Sequence, residues 1–278
     1  MPSIKKILFP VDFSQRAIGA ARYVESLAGR FEAEIMLLHV VDAATHGSIA
    51  QHLQQPRQEQ LKGFLAGELK HFTTRRVCMI GDPTEEIVKM VRSWTPDLVM
   101  MPTYGLGFFR PSLLGSVTAK VLHDIDRPVW TAVHAESAPP LEKIMLLKVL
   151  CAVDLGQRSA RVLEWAASFA AQYEADLGLV HAAPIVEPPP GRTLDRKFTD
   201  SLAAEAKARL TALQAASGAS ATVFVNPGEP SKVVASAAKD SGADLVIIGR
   251  HGGTGDSGHL RHNAYGIIRD SPCPVISI

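Results

Sequence analysis

Two carboxylates, a helix-opening Gly-Ser pair and a glycine-spaced loop are the residues whose types and spacing suit chemistry. Asp12 closes the apolar run Ile7-Leu8-Phe9-Pro10-Val11, and Asp154 closes Val149-Leu150-Cys151-Ala152-Val153, 142 positions later. A carboxylate at the end of a buried strand offers the acceptor that an adenine exocyclic amine needs. It equally suits a helix start or a loop, and the residue alone does not decide. Gly105 follows a later apolar run, and ten residues on stand Gly115, Ser116 and Val117, where a helical pattern opens. A glycine there lets a phosphate approach the backbone, and the free N–H groups and positive dipole end favour an anion. Ser116 adds a hydroxyl donor, while a plain tight turn is the alternative reading of Gly115. Other chemistries find no support. There is no Gly-x4-Gly-Lys-Ser/Thr string, and Gly105-Leu106-Gly107 is a lone GxG far from the first strand. His251, His259 and His262 have only Asp256 as a nearby carboxylate and read as solvated loop histidines rather than zinc ligands. No nucleophile–base pairing is legible, so no catalytic residue and no metal site is expected.

The elements that must position these residues occur twice. Ile7-Leu8-Phe9-Pro10-Val11-Asp12 returns as Val149-Leu150-Cys151-Ala152-Val153-Asp154, and Gly81-Asp82-Pro83 returns as Gly228-Glu229-Pro230. Asp97-Leu98-Val99 matches Asp244-Leu245-Val246, Gly105 matches Gly252, and Arg127-Pro128-Val129 matches Cys273-Pro274-Val275. A ladder of matches with two small shifts is a duplication. Each half reads as alternating strands and helices, with strands near 6–10, 35–41, 76–80, 98–102 and 129–133 in the first. Continuous apolar runs of this length suit a parallel sheet buried on both faces. Helices are expected near 14–29, 57–73, 83–94 and 115–125, with Ser14 as an N-cap and Pro83 opening the third. In the second half a helix is expected near 195–216, and Pro188-Pro189-Pro190-Gly191 reads as a stiff loop. The expected boundaries are a first domain over 1–136, a polar, proline-bearing linker over 137–142 and a second domain over 143–278. Right-handed crossovers between parallel strands imply doubly wound sheets, whose ligands bind beyond the carboxyl ends of strands where strand order reverses.

The run Ile7 to Ser14, the strand Leu37-Leu38-His39-Val40, the Gly81-x-Pro83 turn and the Gly105-x9-Gly115-Ser116 loop together resemble the universal stress protein family. The resemblance covers both halves. It implies an α/β fold of two tandem doubly wound parallel five-stranded sheets with helices on both faces, the adenine-nucleotide α-hydrolase-like class. It also implies ATP, or another adenine nucleotide, bound with Mg2+. Asp12 and Val40 would then surround adenine and ribose, with Pro10, Val11 and Met101 also counted among the binding residues. Gly105, Gly115, Ser116 and Val117 would hold the phosphates. The second-half binding residues would be Ala152, Val153, Asp154, Ala182, Gly249 and Gly252. The family's ATP-binding members carry Gly-x2-Gly-x9-Gly-Ser/Thr, and both halves depart from it. Pro102 stands at the opening glycine of the first, removing an N–H and fixing φ. The second keeps Gly249-x2-Gly252 but has Arg261-His262 or His262-Asn263 where Gly-Ser should be. The first half is therefore expected to be the better ATP site.

The balance of 29 basic and 28 acidic residues, with no dense cationic block, argues against nucleic acid or an anionic membrane as partner. No signal sequence or apolar run of spanning length is legible, and Cys78, Cys151 and Cys273 read as buried reduced thiols, so a cytoplasmic location is expected. Around Gly105 to Ser116 only Arg110 is charged, which argues for binding and signalling rather than efficient phosphoryl transfer. Slow ATP hydrolysis, and an interaction protein that has lost nucleotide binding, remain alternatives. Family members commonly dimerise through the last strand, so the resemblance implies an intramolecular pseudo-dimer of the two halves, with a homodimer also open.

Overall fold

The computed structural model describes residues 3–104, 114–184, 196–250 and 259–278. In the first half the apolar runs form β1 (Lys6–Pro10), β2 (Glu34–Asp42), β3 (Thr74–Gly81), β4 (Leu98–Met100) and β5 (Val129–Thr131). All pair in parallel in the order β3-β2-β1-β4-β5. Between them lie α1 (Gln15–Phe31), α2 (Ala43–His46), α3 (Ala50–Gly63), α4 (Pro83–Trp94) and α5 (Ser116–Asp124). The second half repeats the plan with β6 (Lys148–Ala152), α6 (Ser159–Tyr173), β7 (Asp176–Ala183), α7 (Arg196–Ser217) and β8 (Thr222–Pro227). It continues with α8 (Pro230–Ser241), β9 (Leu245–Ile248), α9 (His259–Asp270) and β10 (Val275–Ser277). Its order is β8-β7-β6-β9-β10, again parallel. In each half the chain winds one way from the first strand and then reverses, so the switch point lies between β1 and β4 and between β6 and β9. The proline-rich segment 188–191 lies outside the described residues.

Local chemistry sets the element ends. The Ser14 hydroxyl accepts from the Ala17 amide at 3.2 Å and opens α1. The Asp82 carboxylate accepts from the Thr84 and Glu85 amides at 2.8 and 3.0 Å, with Pro83 behind it, and opens α4. At the opposite end of each sheet one carboxylate ties two strands. Asp97 accepts from the Lys5 and Lys6 amides at 2.8 and 2.9 Å, and Asp244 accepts from Leu147 and Lys148 at the same two distances.

One helix differs from expectation: α3 spans Ala50–Gly63 rather than 57–73. Pro56 lies inside it, and Gly63 leads into an extended Phe64 and a left-handed Leu65 (φ 53°) that end it. Tertiary contacts outweigh the proline. Gln54 Nε2 donates to the Cys78 carbonyl at 3.2 Å, and Gln58 Oε1 accepts from the Cys78 amide at 3.0 Å. Gln58 Nε2 also reaches the Arg76 carbonyl at 3.4 Å. Two amides one helical turn apart thus satisfy backbone groups of β3 on the side where β2 does not pair with it.

The chain divides into two compact units between Met145 and Leu146. Part of the segment expected as a linker packs on α1: Ala138 is buried, as is Ala135 just before the segment, and the Arg22 guanidinium donates to the Ala138 carbonyl. Burial pushes the Cys151 thiol up to about 12 and Cys273 up to about 11, so both stay protonated at neutral pH. Among the described residues no helix is long and apolar enough to cross a membrane.

A β-carbon at Gly19 of α1 would overlap the Ala135 carbonyl oxygen, whereas one at Gly29 would make ordinary contact with Phe72 at 3.8 Å. Gly19→Ala is expected to destabilise the first unit by about 1–3 kcal/mol through overpacking. Gly29→Ala is expected to be neutral or stabilising by up to about 1 kcal/mol. Equilibrium urea unfolding of the two variants checks this.

Candidate functional site

Each half stops its first strand in the same way. The Val11 amide donates to the Leu38 carbonyl at 2.8 Å, and the Val153 amide donates to Val180 at 3.0 Å. The carbonyls of these same valines then take an imidazole: His39 Nδ1 lies 2.9 Å from Val11 O, and His181 Nδ1 lies 2.9 Å from Val153 O. A carbonyl only accepts, so Nδ1 carries the hydrogen in both rings. The residue after each aspartate is left-handed, Phe13 at φ 63° and Leu155 at φ 60°. Non-glycine residues rarely adopt this conformation, and it turns the chain from strand toward helix.

The neighbouring strand runs on past this stop. Along a strand, successive carbonyls face alternate neighbours. Val180 O faces β6, since it accepts from Val153, and Ala183 O faces β8, since it accepts from the Gly228 amide at 3.1 Å. The peptide groups of Ala182 therefore face the β6 side just beyond the end of β6. By the same rule Val40 presents its peptide groups beyond the end of β1.

In the second half these features line one cavity of about 220 Å³ at the switch point. It brings together Ala152, Val153, Asp154, Ala182 and Gly249, five residues expected from the sequence. Gly252 lies outside the described residues. The opposing walls are apolar, from Val162 of α6, Val234 of α8 and Ile267 of α9. Asp154 Oδ1 accepts from the Gly156 amide at 2.8 Å and the Ser159 hydroxyl at 2.9 Å, which leaves Oδ2 without a partner among the described residues. Among the described residues, Arg158 and His181 are the other ionisable groups of the lining.

In the first half, Asp12 Oδ1 accepts from the Ser14 amide at 3.0 Å, Val11 is buried and Val40 is half-buried. Met101 is buried, its amide donating to Trp130 O at 3.1 Å. Pro10 closes β1, and the Pro102 carbonyl accepts from Thr118 Oγ1 at 3.1 Å. Gly115 precedes α5, but its amide donates to Thr103 O at 3.0 Å, and a β-carbon would stand 3.0 Å from that same oxygen. The glycine is therefore already required by the close approach of helix to strand. Ser116 is exposed and Val117 half-buried at the helix start, and Gly105 lies outside the described residues.

Comparison with known proteins decides the ancestry. The universal stress protein family matches this chain twice, over residues 3–132 and 145–278. The chain belongs to that family. As a tandem universal stress protein it is about twice the length of several relatives. One from Methanocaldococcus jannaschii is 29% identical over 154 residues, covering 45% of this chain and 92% of that protein. One from Methanothermobacter thermautotrophicus is 35% identical over 112 residues, covering 36% of this chain and 75% of that protein. The crystal structure of a universal stress protein from Archaeoglobus fulgidus matches the fold over 99% of this chain and 96% of its own, at a TM-score of 0.72 and 21% identity. A putative family member from Pseudomonas aeruginosa does so over 100% and 94%, at 0.68 and 19%.

The sequence reading of this universal stress protein assigned no role to His39, His181, Arg158 or Ser159. The first three had a usable signal, because His39 and Arg16 recur at the same 142-residue offset as the aspartates. Burial holds the His39 pKa below the usual imidazole range, with Arg57 and His46 lowering it further. The Val11 carbonyl and Asp12 oppose the shift. A proton on Nε2 is therefore disfavoured in the fold, and the contribution of His39 is full above about pH 6.5 and declines as pH falls below it. Urea unfolding from pH 7.5 to 5 is expected to show the stability advantage of the natural protein over His39→Gln narrowing as pH drops. A constant gap would refute the assignment.

Proposed function

We propose that this protein is an adenine-nucleotide-binding module whose occupancy, rather than any turnover, carries its signal, and that the second-half cavity takes the nucleotide. The observation that carries this reading is the convergence of Asp154, Ala182 and Gly249 on one apolar-walled cavity at a sheet switch point. The free Oδ2 of Asp154 suits an exocyclic amine or a ribose hydroxyl. The peptide groups of Ala182 suit the edge of a planar base, and Val162, Val234 and Ile267 offer apolar faces for it. Among the described residues no group of three or more His, Cys, Asp or Glu side chains is placed to hold a metal, so Mg2+ would arrive on the nucleotide's phosphates. Binding would bias a conformational equilibrium of the surrounding loops only by the difference in affinity between their states.

A specific observation favours a weaker first half. The Gly115 amide, which a phosphate would use, is already bonded to Thr103 O, and Pro102 has no N–H to offer.

Calorimetric titration of nucleotide-free protein with ATP and with AMP, magnesium present, tests the proposal. Asp154→Asn keeps an acceptor for Gly156 and Ser159 but turns the free oxygen into a donor. It is expected to weaken binding about 10–100-fold, as loss of a hydrogen bond to a charged group of ~1.5–3 kcal/mol implies. Asp12→Asn is expected to change affinity little. Weakening by Asp12→Asn alone would move the site to the first half, and no binding by the natural protein would leave a degenerate interaction module.

A further inference from the structure

Arginine occupies the same place in both repeats, and the two side chains are in different states. Arg16 of α1 is held: its Nε lies 3.2 Å from Glu136 Oε2, and its guanidinium lies over the Tyr104 ring, 5.8 Å from the centroid. Arg158, 142 positions later, lines the second-half cavity and is exposed, and among the described residues its guanidinium has no ion pair or hydrogen bond. It also stands immediately before α6 without a side-chain cap, where the helix dipole disfavours a cation.

The wall that would hold phosphates in a family ATP site has changed in this half. The positions aligned with Gly115-Ser116 are Arg261-His262 or His262-Asn263, and α9 begins upstream of both, at His259. The Asn263 amide is thus within the helical hydrogen-bond ladder, while those of Arg261 and His262 fall among the first four, which lack an intrahelical partner but sit on bulky residues rather than on a glycine. Among the described residues, the remaining ionisable groups of the cavity do not suit a phosphate. Asp154 repels it, and the His181 Nδ1–H already donates to Val153. The volume, about 220 Å³, lies under the ~300 Å³ at which ligand pockets usually begin, which suits a nucleoside with a single phosphate better than one with three.

We infer that Arg158 holds the phosphate of a nucleoside monophosphate in the second-half cavity, setting a preference for one phosphate over three. This rests on the adenine-binding reading above. Guanidinium geometry suits a terminal phosphate, which presents two oxygens to its parallel N–H groups. In the first repeat Glu136 and Tyr104 take that role, so Arg16 is not available to a ligand.

The test is calorimetric titration of the full chain with adenosine, AMP and ATP at one ionic strength, using the natural protein, Arg158→Gln, Arg158→Lys and Arg16→Gln. The natural protein should bind AMP more tightly than adenosine or ATP. Arg158→Gln should weaken AMP at least about tenfold and leave adenosine unchanged. Arg158→Lys should recover part of the loss, and Arg16→Gln should leave AMP affinity unaltered. Equal AMP affinity in Arg158→Gln and the natural protein would overturn the inference while leaving the adenine site standing. A parallel loss of adenosine would also overturn it, because Arg158 would then shape the cavity rather than hold phosphate. Failure of all three ligands to bind the natural protein would remove the underlying reading, and this inference with it.

Discussion

Everything at the candidate site depends on one constraint: the first strand of each half stops while the strand beside it continues. The stop is fixed by a pair of bonds on one valine. Its amide closes the last rung to the neighbouring strand, and its carbonyl takes an imidazole from that strand. Beyond it the left-handed residue swings the chain away, which leaves the peptide groups of Ala182 facing an opening rather than a partner. A buried peptide group without a partner is costly, so such an edge is stable when water or a ligand completes it. The cavity is thus a consequence of where the strand ends, and Asp154 stands there because it begins the turn that ends it.

The duplication gives an internal control. Shared features, namely the imidazole–carbonyl bond, the left-handed residue and the carboxylate tying two strands at the other end of the sheet, build the frame. Features that differ modulate it. Gly19 of α1 admits the Ala135 carbonyl, whereas its counterpart in α6 is the exposed Arg161. That difference brings Glu136 to Arg16 in the first half, while Arg158 keeps a guanidinium open to the cavity. The halves share a fold and differ in the charge each offers a ligand.

Much of this was legible in the sequence, for identifiable reasons. Continuous apolar runs specify buried parallel strands because both faces are covered, and the 142-residue offset exposes the repeat before any element is drawn. Asp12 and Asp154 could be placed because a carboxylate closing an apolar run has few places to be. The extent of α3 was not legible. Its position is set by Gln54 and Gln58 reaching β3, a tertiary contact that outweighs Pro56 and leaves no periodic trace. The double role of Gly115 was also hidden, since a glycine required by a close backbone approach and one required by a phosphate look alike in sequence. The state of Arg158 depends on what does not face it, which no local pattern encodes.

The most direct test is an amide-resolved NMR titration of the isotopically labelled full chain with AMP. This account predicts saturable shift changes centred on Asp154, Ala182 and Gly249, with the Val11 to Asp12 segment little affected. Changes centred on Asp12 and Val40, or scattered over residues remote from both strand ends, would contradict it.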